Sequence, residues 1–241
     1  MYAVLSALEA ESECIIEKLK NKTIENWNGY SFVIGSFSGQ ECIIGHTGVG
    51  KVNSAVVVSH IIEKYNPSIV FYTGIAGALR NDLNIGDVVI AVDSIQWDID
   101  ITAFGFKTGE LPSAATSLAK NKNTANVRFY KTNPELLQKA LKWNPGGFKI
   151  RQGRIITGDS LFTTSMQKAK SDLIKELDGY AVDMEGASVG AACRLYNVSC
   201  FLARVISDTV KGNKPKRFKQ FMKKSSCKMA NLIDFIISNF S

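Results

Sequence analysis

Two apolar runs constrain the fold of this chain most: PSIVFYTGIAGAL, from Pro67 to Leu79, and CFLARVI, from Cys200 to Ile206. Neither alternates apolar with polar residues. A strand built from either run is therefore buried on both faces, as in a parallel sheet covered by helices on both sides. Each run also ends in groups suited to a ligand: Gly74 and Gly77 let one approach the backbone, and Ser207 and Asp208 follow Ile206. In α/β sheets ligands bind outside the carboxyl ends of the strands. The stretch AVDMEGAS, Ala181 to Ser188, repeats this arrangement, with Asp183 and Glu185 on either side of Met184 between a short strand and a helix rich in small residues.

The remaining segments supply the other layers. Tyr2 to Ala7 is strand-like, and Leu8 to Lys20 reads as a helix whose acidic first turn suits the helix macrodipole whatever else Glu9, Glu11 and Glu13 do. Tyr30 to Phe37 and Glu41 to Thr47 read as paired strands. HTGVGK opens a helix running to about Tyr65 with Val52, Val56, Ser59 and Ile62 on one face. Glycines before a helix suggest contact with an anion or a ribose, or equally close backbone packing, although the stretch matches neither the phosphate loop nor the dinucleotide fingerprint. Further strands are expected over Ile85 to Ile95 and Lys149 to Thr157, and further helices over Pro134 to Trp143, behind a cap at Ser165, and from Lys216 to Asn239. Trp97 to Pro112 is an apolar loop of the kind found at subunit interfaces or pocket lids, and Ser113 to Asn126 reads as a mobile surface insertion or weak helix. The alternation predicts an α/β fold, a three-layer α/β/α sandwich with a central mixed twisted sheet, as one domain over 1–241.

Five cysteines without C-x-x-C spacing suggest reduced, mostly buried thiols, and His46 and His60 have no ligand-spaced partners, so neither a metal site nor a cofactor is expected. With no apolar run long enough to span a bilayer and a strand directly after Met1, neither membrane nor secretion is expected. The net charge of +7 is concentrated between Lys211 and Lys228, where eight cations occur without an acid. That cluster reads either as a polyanion-binding patch or as the solvated face of a helix whose buried side carries Phe218, Phe221, Met222, Met229 and Leu232; with no nucleic-acid motif beside it, the solvated face is preferred.

Four strand ends thus point polar groups one way: Glu11, the Gly74 to Gly77 turn, Met184 with Glu185, and Ser207 with Asp208. Chemistry that needs only carboxylates is typically acetal cleavage, in which one acid protonates a leaving group and another carboxylate activates water. The pieces ALEAE, GVGK, TGIAG, DITAFG, TGDSLF, VDMEGAS and ARVISD, in that order along the whole chain, resemble the 5'-methylthioadenosine/S-adenosylhomocysteine nucleosidases. The resemblance implies a nucleoside phosphorylase-like sandwich, a cytoplasmic homodimer, and hydrolysis of an adenine nucleoside with water as nucleophile. It implies Glu11 as general base and Asp208 as general acid toward N7 of adenine. It places Glu185 on the ribose hydroxyls, Met184 on the sugar, and Phe162 at the adenine edge. Leu161 stands where an aromatic is more usual. Val49, Ile75, Ala76 and Gly77 fall at pocket positions, and Ser207 and Arg204 support the acid and the acidic pair. Phe104 and Pro112 match residues reaching into the partner subunit's pocket, and Phe218 the aromatic on a closing segment. Ile75 and Lys211 depart from the usual small polar and acidic residues. The alternatives are a purine nucleoside phosphorylase, a futalosine-type nucleosidase, or a non-catalytic polyanion-binding protein using the basic helix.

Overall fold

A computed structural model of the chain describes residues 1–112 and 126–239. The Ser113 to Asn126 expectation, apart from Asn126, lies outside the described residues. In chain order the elements are β1 (Tyr2–Ser6), α1 (Glu9–Lys18), β2 (Lys20–Trp27), β3 (Tyr30–Phe37), β4 (Gln40–His46), α2 (Lys51–Tyr65), β5 (Ile69–Ala78), β6 (Val88–Gln96), β7 (Tyr130–Lys131), α3 (Pro134–Leu141), β8 (Ile150–Thr157), α4 (Thr164–Ala169), α5 (Ser171–Leu177), β9 (Gly179–Asp183), α6 (Gly186–Leu195), β10 (Ser199–Asp208) and α7 (Phe218–Ser238).

The sheet is mixed and follows the path β10-β6-β8-β9-β5-β1-β4-β3-β2, with β7 beside β6. A further pairing of β10 with β5 closes β5, β10, β6, β8 and β9 into a ring. At its centre β5 runs parallel to β1 and to β10, which explains the two unbroken apolar runs. Val70 and Tyr72 pack on one side among Val57, Val58, Ile61, Val189 and Cys193 from α2 and α6. Ile69 and Phe71 pack on the other among Ile15, Leu136, Met229, Ile233 and Ile236 from α1, α3 and α7. Helices therefore cover both faces of the sheet, as the apolar runs require.

Several expected details change. The predicted first helix stops at Lys18 because Lys20 to Trp27 pairs with β3 as an exposed, charged edge strand. Charged edges of this kind discourage pairing with other chains. In α2 the buried side chains are Ser54, Val57, Val58, Ile61 and Ile62, whereas Val52 is 73% exposed and Val56 is exposed beside it. Thr163, one turn ahead of Met166, caps α4 rather than Ser165. The cysteines are not all reduced: Cys14 on α1 and Cys227 on α7 form a disulfide, while Cys42, Cys193 and Cys200 are free and buried. Met222, Met229 and Leu232 are buried on α7 and Lys219, Lys223 and Lys224 exposed, as expected of the basic stretch, but Phe218, expected on the buried side, is exposed at the first turn and Phe221 only half-buried. Among the described residues, no helix is long and apolar enough to cross a membrane.

Candidate active site

Arg204, 1% exposed in the middle of β10, organises the carboxyl ends of the sheet. Its Nε and Nη2 donate to Asp183 Oδ2 at 2.9 and 2.7 Å, and its guanidinium lies 4.8 Å from the Tyr72 ring centroid. Asp183 also accepts from Thr157 Oγ1 at 2.5 Å and from the Gly186 amide at 3.0 Å. Its acceptor capacity is thus engaged inside the protein, and the acidic pair divides into Asp183, anchored by Arg204, and Glu185, equally buried but with a single side-chain hydrogen bond among the described residues, from the Gly50 amide. Losing one partner of such a buried pair typically costs about 3–5 kcal/mol, because the other charge is left uncompensated. Arg204, placed among the substrate-binding residues by sequence, therefore acts through Asp183 and has no ligand-facing surface of its own.

Glu185 sits between β9 and α6, and its Oε1 accepts from the Gly50 amide at 2.9 Å. Asp159 Oδ1 accepts from the next amide, Lys51, also at 2.9 Å. The glycine-led start of α2 therefore holds the chain's own carboxylates, which suits a helix N-terminus and leaves no need for a phosphate-loop sequence. Burial and the neighbouring Asp183 charge push the Glu185 carboxyl up from 4.5 to about 7, with Arg204 opposing them.

Glu11 is buried at the start of α1. Its Oε2 accepts from the Leu8 amide at 2.9 Å and its Oε1 from the Ile75 amide at 2.8 Å. The first contact is the helix-capping role that its position suggested; the second ties it to the site strand. A Cβ on Gly74 would lie 2.6 Å from Glu11 Oε1, so only glycine leaves room for the carboxylate. Burial pushes the Glu11 carboxyl above its ordinary value, against the pull of Arg204 and the backbone amides.

Asp208 ends β10 opposite Gly77, where a Cβ would lie 3.0 Å from its Oδ2. Ser207 Oγ is 2.7 Å from Asp208 Oδ1 and 3.2 Å from the Ala76 carbonyl, so it steadies the carboxyl from β5. Glu11 and Asp208 thus address β5 two to three residues apart, roughly 7–10 Å along a strand.

Around this core, Met184 is half-buried between the two acids, and the Phe162 ring meets Trp97 edge-on at 5.4 Å. Leu161 is exposed, as are Val49 and Pro112. The structure does not bring Phe104 or Phe218 onto the carboxylates: Phe104 is 81% exposed, and Phe218, at the start of α7, lies against Phe221. An ion network does gather the rim. Lys51 Nζ reaches Asp98 at 2.7 Å and Asp159 at 3.8 Å, and Asp98 accepts from the Asp159 amide at 2.9 Å. The start of α2, the loop toward Phe104 and the loop carrying Leu161 are thereby held together. The anion contact expected of the glycines at Gly48 to Lys51 is made by the Gly50 amide to Glu185; sequence reasoning missed Thr157, Tyr72 and Trp97. His60, by contrast, is stacked on Trp27 at 3.9 Å, away from this chemistry.

Comparison with known proteins adds an independent line. Residues 1–238 match the family model described as the phosphorylase superfamily. The chain is 32% identical over 231 residues to a 5'-methylthioadenosine/S-adenosylhomocysteine nucleosidase of Bacillus cytotoxicus, covering 96% of this chain and 95% of the relative. It is 34% identical over 233 residues to an aminodeoxyfutalosine nucleosidase of Campylobacter jejuni, with the same coverage of 96% and 95%. The crystal structure of the Campylobacter jejuni 5'-methylthioadenosine/S-adenosylhomocysteine nucleosidase superposes with a TM-score of 0.87 over 99% of both chains at 29% identity.

Proposed function

The chain belongs to the phosphorylase superfamily, and from that premise we propose that it is a nucleosidase hydrolysing the N-glycosidic bond of 5'-methylthioadenosine and S-adenosylhomocysteine, releasing adenine and the 5'-thioribose. In this reading Glu11 takes a proton from water as it attacks the ribose C1' carbon, and Asp208 gives a proton to N7 of adenine. Protonation lets the base leave neutral while the sugar passes through an oxocarbenium-like state; each proton transfer typically contributes on the order of 10² to 10⁴ in rate. Glu185 accepts from ribose hydroxyls, Met184 packs on the sugar, and Phe162 with Gly77 and Ala76 borders the base. The raised Glu11 carboxyl suits a base working near neutral pH.

One observation carries hydrolysis over phosphorolysis. A phosphate co-substrate needs free cationic donors. Among the described residues the cation nearest these carboxylates, Arg204, is buried and engaged with Asp183, while the buried Glu11 would repel an anion. Identity to the aminodeoxyfutalosine nucleosidase supports a second reading within the same chemistry, in which the 5'-substituent differs and the three acids act alike.

The reading includes one domain over 1–241, supported by cores that share one sheet, and a homodimer, supported by the exposed Val49, Val52, Val56 and Phe104 on the rim. It also places the protein in the cytoplasm, where by-products of S-adenosylmethionine arise. Adenine release from methylthioadenosine, with and without phosphate, tests the whole. Phosphate-independent release, lost in Asp208→Asn with folding intact, is expected; phosphate-dependent release would assign a phosphorylase. Faster turnover of aminodeoxyfutalosine would select the second substrate.

A further inference from the structure

The basic face of α7 is not absorbed by the site above. Lys223, Lys224, Cys227, Lys228 and Asn231 follow one another at helical spacing and line a groove of about 300 Å³ whose opposite wall is Trp143, Pro145 and Phe148. Cys227 is half the staple between α7 and α1, with Cα atoms 4.9 Å apart. The two cysteines are not equally buried: Cys14 is buried under the helices, whereas Cys227 is half-buried and lines the groove.

The charges facing the groove differ. Lys228 Nζ donates to the Gly86 carbonyl and lies 3.5 Å from the Phe148 ring centroid, and burial pulls it down to about 8. Lys223 is shared with Glu17 at 3.3 Å and Glu13 at 3.9 Å. Lys224 is exposed and, among the described residues, has no ion pair. Positive charge one turn before a half-buried disulfide cysteine concentrates anions there and stabilises a developing thiolate. In a reducing compartment, disulfides are mostly transient or redox-sensing.

We propose that the Cys14–Cys227 disulfide is a reversible thiol-exchange site, served by a small anionic thiol of the glutathione type that docks in the lysine-lined groove and attacks Cys227. The thiolate forms a bond to Cys227 Sγ while the bond between Cys227 and Cys14 breaks, and the electron pair leaves on Cys14, which takes a proton from solvent. A second thiolate attacks the small thiol's sulfur in this mixed disulfide, releasing the oxidised small thiol and the Cys227 thiolate. The protein disulfide gains two electrons and two small thiols are oxidised to one disulfide. The reverse sequence closes the staple. Its state determines whether α7 is covalently held to the helix that carries Glu11, one turn before Cys14.

The test uses the full chain purified without reductant. Reduction is followed by mass spectrometry with glutathione and, separately, with neutral 2-mercaptoethanol, in the wild type and in Lys223→Gln/Lys224→Gln. The lysine variant is expected to slow reduction by glutathione about 3- to 10-fold and reduction by 2-mercaptoethanol, whose attacking thiolate carries no carboxylates, by clearly less, with 0.5 M salt, ~4 Å of screening length, reproducing the loss in the wild type. Oxidised glutathione is expected to add to Cys227 in Cys14→Ser. Equal slowing with both thiols, addition at a cysteine other than Cys227, or a wild-type peptide map without the Cys14–Cys227 link would each overturn the proposal.

Discussion

Glu11 depends on a residue with no side chain. Its carboxylate occupies the space a Gly74 Cβ would need, 2.6 Å from Oε1 and 3.0 Å from Cδ. Gly74→Ala therefore displaces the base without changing any charge, and misplacement of order 1 Å can cost about 10²-fold in rate. Turnover is expected to fall by about that factor with the circular dichroism spectrum unchanged; a kcat within twofold of wild type would mean that Glu11 is not positioned through β5. Glu185 offers a pH test. Its carboxyl is raised from 4.5 to about 7, so the folded protein binds its proton more tightly than the unfolded chain. The stability this contributes is complete below 4.5 and is lost as pH rises through 7. Glu185→Gln avoids that loss. It is expected to match wild-type stability near pH 4.5 and exceed it above pH 7 by on the order of 3 kcal/mol, read from urea unfolding; an advantage that does not grow with pH would sink the assignment. Glu11, Glu185 and Asp208 were legible in the sequence because each follows a strand-like run. Asp183 looked like an equal of Glu185, since nothing local shows that Arg204, twenty-one residues away, faces one and not the other. Thr157, Tyr72 and Trp97 gain their roles only through contacts distant in sequence, so no local pattern marks them, whereas the glycines opening α2 did mark the Gly50 amide as an anion contact.

Among the elements, β5 and β10 were the most legible because burial on both faces leaves a continuous apolar run. The strand β2 was the least: KNKTIENW has neither apolar alternation nor a turn signal before it, and it is a strand because β3 presents an edge to pair with. Closure of the ring by β10 on β5 was equally silent, since pairing partners are a property of the assembled sheet. The α1–α7 contact joins elements at opposite ends of the chain, and its disulfide closes a loop spanning 213 positions. Constraining so long a loop lowers the entropy of the unfolded chain, an effect of about 2–5 kcal/mol. At about 2–4 °C per kcal/mol for a chain of this size, reduction is expected to lower Tm by roughly 5–15 °C. Scanning calorimetry with and without a phosphine reductant measures the shift, and Cys227→Ser should unfold at the reduced temperature in both buffers. An unchanged wild-type Tm would show that packing alone holds α7 to α1.

At the scale of the whole molecule, the site is well built at its floor and bare at its rim. Glu11, Glu185, Asp183 and Arg204 are buried within one chain, whereas Phe104 is 81% exposed and Val49, Val52, Val56 and Leu161 are exposed as well. Val52 and Val56 are one helical turn apart on α2, and the Lys51–Asp98–Asp159 network brings the Phe104 and Leu161 loops to the same helix start. In the proposed homodimer these exposed apolar side chains would lie in the interface. Under that proposal a second copy would both cover α2 and place the Phe104 loop over the partner's substrate tail. Val52→Glu/Val56→Glu puts two charges on each copy of that face and touches no residue of the carboxylate cluster. The variant is expected to sediment as a monomer and to lose affinity for methylthioadenosine by about 10-fold or more, since an incomplete rim withdraws apolar contact from the 5'-tail. KM should carry most of the change, because the acid and base remain in place. A variant that stays dimeric, or a monomer with wild-type KM, would show that one chain completes the pocket alone.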